Sequence, residues 1–403
     1  MNRLFLIQHG WGRRQAGQDL LDETLARSWA QGVILAPGDQ VPESLQADAA
    51  TVVEHHGELM IDPQLYVLSI PDHDSKRLDR YEWFPRGGTL ARLSPREVIR
   101  IVESALDFQR RMGASALIAP TPILRDLGGS GEAMFHLFAS CATDLGADVP
   151  LYLTLVVPEY LLADWEQTRR LLDLVTAYDV FGFYFIVSHT RYDHPLRWDG
   201  GTLARAGMIV SQLASEQNEY QVIVGYAGLT GFFLRCVGAE AFASGWSNAF
   251  QRFHESRWQP GGFGAPPLSR FASPKAFGNL LVHTHVAPLL EVDDPTFDPA
   301  DVVGGTMGDG LRALFPARMG EWTTGQFKLS HFETCNALDG FVELGSLTDR
   351  LQNLIACAQV GIDQFASAKR VAPIRWEYET GPSHLQIWQA AAAELAEELR
   401  VSL

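Results

Sequence analysis

The feature that most constrains this chain is a repeat of pattern rather than of residues. Eight short apolar runs, each followed by a turn and a helix-like stretch, pass between the first residues and about Asn248. They read LFLIQHG (Leu4–Gly10), GVILAPG (Gly32–Gly38), ELMIDPQ (Glu58–Gln64), ALIAPTP (Ala116–Pro122), PLYLTLVVP (Pro150–Pro158), FGFYFIVSH (Phe181–His189), VIVGYAG (Val222–Gly228) and AFASGWS (Ala241–Ser247). Strands that alternate with helices pair in parallel and are buried on both faces. Eight such units predict an α/β fold, a closed (β/α)8 TIM barrel. A barrel of this kind takes ~250 residues, and the chain has 403. The expected division is therefore a barrel over 1–250 and a mostly helical C-terminal extension, packed on it, over 251–403.

Helix signals support that rhythm. In SPREVIRIVESALDFQRRMG, Ser94 is placed to cap, Pro95 to open the first turn, Glu97 to complete a capping box and Gly113 to stop the helix. The segments Asp19–Trp29, Leu161–Asp179 and Thr202–Gln217 repeat apolar residues at helical spacing. The third strand is followed by a long insert, Leu68–Arg92, which leaves from the catalytic end of the barrel and has the length of a lid or binding loop. Beyond Asn248 the rhythm breaks. Phe253–Pro274 is rich in Gly, Pro and Arg and reads as a loop. FGNLLVHTHVAPLLEV reads as a strand or a buried helix, and Glu343–Arg370 and Pro382–Leu403 as amphipathic helices.

Charge narrows the choice of partners. The formal net charge is −16, and an acidic surface gives no long-range attraction to phosphate backbones. Nucleic acid is therefore expected to be met through a partner protein, in a homo- or hetero-oligomer. No apolar run approaches the ~18–20 residues of a membrane span, and the first residues lack the apolar core of a secretory signal; a cytoplasmic protein with no membrane partner is expected. Cys141, Cys236, Cys335 and Cys357 form no C-x-x-C pair and read as free thiols.

Polar residues at the C-terminal ends of the strands are the functional candidates. They include Gln8, His9, Asp39, Asp62, Gln64, Thr121, Glu159, Ser188, His189, Arg191, Tyr226, Ser244, Trp246, Ser247 and Asn248. Asp62 ends an apolar strand, where a carboxylate costs free energy unless it is paired or used. His9 and His189 are placed to act as acid–base groups, since imidazole titrates near neutrality. His55–His56 and His283/His285 lack a third ligand at helpful spacing, so no metal is expected. No dinucleotide or P-loop motif occurs, so no cofactor is expected either. Glycines around Gly228 and Gly245 stand beside a helix start, as in the phosphate cups of many barrels.

Three stretches, in order, resemble the tRNA-guanine transglycosylase superfamily, barrel enzymes that exchange guanine for a 7-deazaguanine base in nucleic acid. APGDQV…HHGELMIDPQLYVLS is similar to the family's stretch ending T-D-S-G-G-[FY]-Q, and Asp62 falls on its base-contacting aspartate. YQVIVGYAGLTGFFLRCVGAEAFASGW is similar to the segment that carries the nucleophile, and FKLSHFETCNALDG…LTDRLQNLIACAQVGIDQF to the segment of the last zinc ligand and the helix after it. The departures are specific. The nucleophilic aspartate is replaced by Ala243, after Phe242; of the zinc ligands only His331 has a counterpart; a base-reading aspartate is replaced by IAPTP, and a glutamine–glycine pair by VVPEY.

The resemblance implies a divergent, zinc-free barrel acting on a purine or 7-deazapurine base in nucleic acid. Base exchange needs a carboxylate at the anomeric carbon, a slot for an extruded base, and cations for phosphates. The expected carboxylate is Asp62, with Asp39 and Glu159 in reserve. The slot is expected from Gln64, Tyr66, Tyr226, Trp246 and Asn248. Phosphate contacts are expected from Gly228, Gly245, Arg252, Arg257 and Arg270. Two alternatives stand beside this. One is a non-catalytic barrel serving as a binding or scaffold subunit, which Ala243 favours. The other is a hydrolase or lyase of a phosphorylated small molecule that uses His9 and His189.

Overall fold

A computed structural model of the chain describes residues 4–10, 14–86, 89–146, 149–190, 196–260, 268–343, 345–376 and 380–403. Each of the eight apolar runs forms a strand. In chain order the elements are β1 (Phe5–His9), α1 (Arg14–Ala26), β2 (Gly32–Leu35), α2 (Pro42–Glu54), β3 (Glu58–Ile61), α3 (Pro95–Arg111), β4 (Leu117–Ala119) and α4 (Ser130–Leu145). They continue with β5 (Leu151–Pro158), α5 (Trp165–Val175), β6 (Gly182–His189), α6 (Gly200–Leu213), β7 (Gln221–Val224), α7 (Gly231–Cys236) and β8 (Ala241–Ser244). All strand residues but the first of β3 and of β7 are buried, as strands sandwiched between a barrel interior and a helical layer must be.

The strands pair in parallel in the order β3-β2-β1-β8-β7-β6-β5-β4. The two ends of this sheet come together without a ladder. A seam between β3 and β4 is held at its N-terminal end by Ser115, whose backbone N–H and hydroxyl donate to Leu59 O at 2.8 and 3.1 Å. The ring is thus a nearly closed TIM barrel. The predicted capping box at α3 is formed: Glu97 N donates to Ser94 Oγ, and Ser94 N donates to the Glu97 carboxylate at 2.8 Å.

The chain after β8 is more structured than its Gly/Pro content suggested. The stretch read as a loop follows α8 (Asn248–Gln251) and contains β9 (Phe253–His254), a 3-10 turn over Glu255–Trp258 and β10 (Arg270–Ser273). Phe253, Trp258 and Phe271 are fully buried within it, and these apolar anchors outweigh the local turn propensity. β10 pairs antiparallel with β11 (Gly278–Leu281), which runs directly into a helical stretch ending in α9 (Ala287–Leu290), so FGNLLVHTHVAPLLEV is strand and helix in succession. α10 (Gly305–Leu314), α11 (Thr324–Gly340), α12 (Leu347–Val371) and α13 (Ser383–Leu399) complete the chain.

One of these helices belongs to the barrel wall. α11 packs between α7 and α1 and against β1, with Phe332 6.2 Å from Phe5 between ring centroids. It takes the place of the eighth barrel helix, although it lies some way along the chain from β8. Among the described residues no helix is long and apolar enough to cross a membrane.

Candidate functional site

The site is built from the ends of β3 and β7. After Asp62 and Pro63 the chain reverses at Gln64, whose backbone is left-handed at φ 56°, a region that costs a non-glycine residue free energy. The reversal starts a 3-10 turn, Leu65–Ser69, and carries Tyr66 back over Asp62. The Tyr66 hydroxyl donates to Asp62 Oδ2 at 2.8 Å, and Gln64 N donates to Oδ1 at 3.0 Å. At the end of β7, Tyr226 is also left-handed, at φ 54°, and its hydroxyl lies 3.4 Å from Asp62 Oδ2 and 3.1 Å from that of Tyr66.

Two glutamines and a third tyrosine complete the cluster. Gln64 accepts from Gly38 N at 2.7 Å and donates to the Tyr226 hydroxyl at 3.1 Å. Tyr184, on β6, donates to Gln8 Oε1 at 2.8 Å and stands 3.5 Å from Asp62 Oδ2. Gly225 makes room for it, since a Cβ there would lie 2.6 Å from the Tyr184 hydroxyl. Gln8 Nε2 is buried with no partner among the described residues.

Asp62 is fully buried. Burial raises its pKa to about 6, against the lowering effect of the Tyr66 and Gln64 hydrogen bonds and the Arg257 charge. Burial, reinforced by the Asp62 charge, pushes Tyr66, Tyr184 and Tyr226 upward, so all three remain protonated donors. The cluster is a carboxyl that changes charge near pH 6, ringed by phenols that do not.

The other two acid–base candidates sit in separate clusters. His9 Nε2 lies 2.9 Å from Asp48 on α2, an oxygen that Gln40 Nε2 also meets. His189 Nδ1 lies 2.5 Å from Glu159, whose other oxygen accepts from Thr190 N and Oγ1 at 2.7 Å each. Burial pushes His189 down to about 4, against the pull of Glu159. Burial would raise Glu159, but the bonds from His189 and Thr190 prevail and hold it at about 2. At neutral pH a neutral imidazole therefore donates to a carboxylate. Asp62, His9 and His189 share the C-terminal face and belong to three separate hydrogen-bonded clusters among the described residues.

The expected phosphate contacts are engaged within the chain. Arg257 pairs with Asp39, which Lys76 also approaches at 3.4 Å. Arg252 Nη2 stands 3.7 Å from Glu159, and Nη1 donates to Arg197 O. Gly245 N donates to Phe250 O at 3.0 Å. Gly228, at φ 55°, turns the chain into α7 beside Gln251, and Arg270 starts β10 in the hairpin. Trp246 is half-buried under Lys328, whose Nζ is 3.7 Å from the ring centroid, and Asn248 is exposed at the start of α8. Thr121 donates its hydroxyl to Thr154 O within the barrel. Ser244 Oγ lies 2.9 Å from His331 Nε2, linking β8 to α11. Arg191 lies outside the described residues.

Sequence reasoning missed Tyr184, Trp258 and the Arg125–Glu255 pair as site features. A tyrosine amid FGFYFIVSH was a usable signal, because a hydroxyl inside an otherwise apolar strand needs a partner. It also missed a cleft of about 840 Å³ beside the seam, lined among others by Leu68, Ile70, His73, Phe84, Arg125 and Asp126. No group of three or more metal-ligating side chains occurs among the described residues.

No protein-family model matches the chain, and no curated protein sequence is similar to it. One solved structure with an overall likeness is described as a dihydrodipicolinate synthetase from Pseudomonas aeruginosa. It shares 10% identity at a TM-score of 0.35, over 97% of this chain and 98% of that one. A likeness of that size does not bear on the site.

Proposed function

We propose that this barrel takes a purine or 7-deazapurine base of a nucleic acid at Asp62, as a divergent, zinc-free member of the transglycosylase kind. The observation that carries the reading is the pair of left-handed residues, Gln64 and Tyr226, held in one hydrogen-bonded network around a fully buried carboxylate. Backbone strain of this sort persists only where the surroundings over-determine it, and it gathers at functional sites. A carboxyl poised near pH 6 accepts a ring N–H from a base or faces the positive charge that develops at a sugar carbon. Tyr66, Tyr226 and the adjoining Phe253, whose ring is 5.2 Å from Tyr66 and 5.5 Å from Tyr226, supply aromatic walls. Because Ala243 bears no nucleophile, base exchange here assigns the attack on the anomeric carbon to Asp62. The bond to the outgoing base breaks, with a proton taken up at its ring nitrogen, and the incoming base gives up the equivalent ring proton as it displaces the carboxylate, so the exchange balances. The net charge of −16 assigns the grip on phosphates to a partner.

The test is incorporation of labelled guanine into nucleic acid, with equilibrium binding of the free base measured alongside. Asp62→Asn is expected to abolish both while the variant still unfolds in a single cooperative thermal transition. Full activity in that variant rejects the assignment.

A second reading is a non-catalytic binding subunit. It is favoured by Ala243 together with the internal pairing of Arg252 and Arg257. A stable hetero-complex, with no turnover by the isolated chain or by the complex, would select it.

A further inference from the structure

Asp62 is fully buried, and among the described residues one segment packs over the phenols that hold it. This strap, Phe250–Trp258, leaves β8 through α8 and pairs β9 with the end of β6, Phe253 opposite Ser188 and His254 opposite His189. It then crosses to the end of β2 and the insert after β3. Phe253 packs on Tyr66 and Tyr226, and Phe250 lies parallel to Tyr226, 6.2 Å between centroids. Trp258 rests on Gly38, where a Cβ would come within 2.4 Å of its ring, and its carbonyl accepts from Asp74 N at 2.5 Å. The strap therefore covers the two phenols that hold Asp62.

Two ion pairs anchor its C-terminal half. Arg257 pairs with Asp39 while its guanidinium lies 4.1 Å from the Phe250 ring centroid and 5.1 Å from that of Trp258. Glu255 accepts a two-point bond from Arg125, at 2.6 and 2.8 Å, and Ser188 Oγ adds a third contact at 3.3 Å. Backbone hydrogen bonds hold the strap at the two positions of β9, at Phe250 O, which accepts from Gly245 N, and at Trp258 O. The closed arrangement also leaves Trp258 Nε1 buried with no partner among the described residues. Water would satisfy that donor once the strap lifts.

We propose that Phe250–Trp258 is a lid, closed over Asp62 and latched by the pairs Arg257–Asp39 and Arg125–Glu255, which must part before a ligand reaches the carboxylate. This rests on the reading of Asp62 as the group that meets the base. Arg125 also lines the 840 Å³ cleft at the seam, so one latch is accessible from a cavity outside the barrel mouth. A ligand lodged there is placed to compete with Glu255 for the guanidinium.

Hydrogen exchange of the full chain tests the lid without any ligand. In the wild type, amides of Phe253–Trp258 are expected to exchange about 100-fold faster than those of β5 and β6, because a local opening needs less free energy than global unfolding. Glu255→Gln and Asp39→Asn are each expected to raise strap exchange about tenfold, the effect of weakening a charge-assisted bond, with β5 and residues 182–187 of β6 unchanged. Nitration of Tyr66 and Tyr226 by tetranitromethane should rise in parallel. Strap amides as slow as those of β5 and β6 in the wild type, or strap and strands accelerating together in both variants, would overturn the lid. Guanine should bind more tightly to the latch variants than to the wild type. If the strap opens and the tyrosines react, yet guanine binds no better, the lid stands and the base reading falls.

Discussion

Gln64 and Tyr226 end different strands, 162 positions apart, yet both have left-handed backbones and meet through a 3.1 Å hydrogen bond from Gln64 Nε2 to the Tyr226 hydroxyl. Each strained turn fixes the side chain that satisfies the other. Gln64 also receives Gly38 N, so the bond ties the ends of β2, β3 and β7 into one rim. Tyr226→Phe keeps the ring and its packing but leaves the Gln64 amide without its acceptor. Loss of a buried partner costs about 1–3 kcal/mol, and urea unfolding should show a drop of that size. A change near zero would mean that the rim is held by ring packing alone.

Asp62 gives a second, signed expectation. Its pKa is raised by burial from 3.8 to about 6, so the folded chain holds this proton more tightly than the unfolded chain. Below pH 4 both states are protonated and the group is neutral in its effect. Between pH 4 and 6 the wild type loses stability as the pH rises, by up to about 3 kcal/mol at ~1.4 kcal/mol per unit, and above pH 6 the loss is constant. Asp62→Asn has no such titration. The stability difference, wild type minus variant, should fall through that window and then level. A flat difference from pH 4 to 7 would show that the carboxyl is not desolvated.

The barrel was legible because each strand is a compact apolar run bounded by turn residues, and Asp62 because a carboxylate closes one of those runs. The sealing of the mouth was not. Arg252 and Arg257 read as open phosphate contacts because their partners, Glu159 and Asp39, lie far back along the chain, and no local pattern announces a long-range ion pair. β9 is two residues long and gains its form from Phe253 packing on Tyr66 and Tyr226. α11 fills a wall position that local periodicity cannot assign, since only its packing against α1, α7 and β1 shows which helix stands there.

Buried histidines should make the fold acid-labile. Burial lowers His189 and His384 to about 4 and His331 to about 3. A lowered folded pKa means that the unfolded chain takes the proton first. Stability from these groups is complete above about pH 6.5 and falls as the pH drops toward 4, by ~1.4 kcal/mol per unit for each histidine. The urea midpoint should therefore fall between pH 6.5 and 4.5, and His331→Asn should shallow that slope. Asp62 works in the opposite sense below pH 6 and offsets about one histidine, so a midpoint independent of pH would contradict three neutral buried imidazoles.

The pair Arg235–Asp339 predicts that the extension cannot be removed. Arg235 Nε donates to Asp339 Oδ1 at 2.7 Å, with the two side chains 2% and 0% exposed, and this joins α7 of the barrel to α11. Breaking such a pair strands a buried charge. Asp339→Asn should cost about 3–5 kcal/mol, whereas Arg235→Met with Asp339→Leu should cost far less, because no charge is left unpaired. Truncation after Phe250 removes α11 altogether. It uncovers β1 and Phe5, which packs on Phe332, and leaves Arg235 without its carboxylate. The truncated chain is expected to be insoluble or to lack a cooperative thermal transition. A soluble 1–250 fragment with a sharp transition would show that the eight strands close without the helix borrowed from the far end of the sequence.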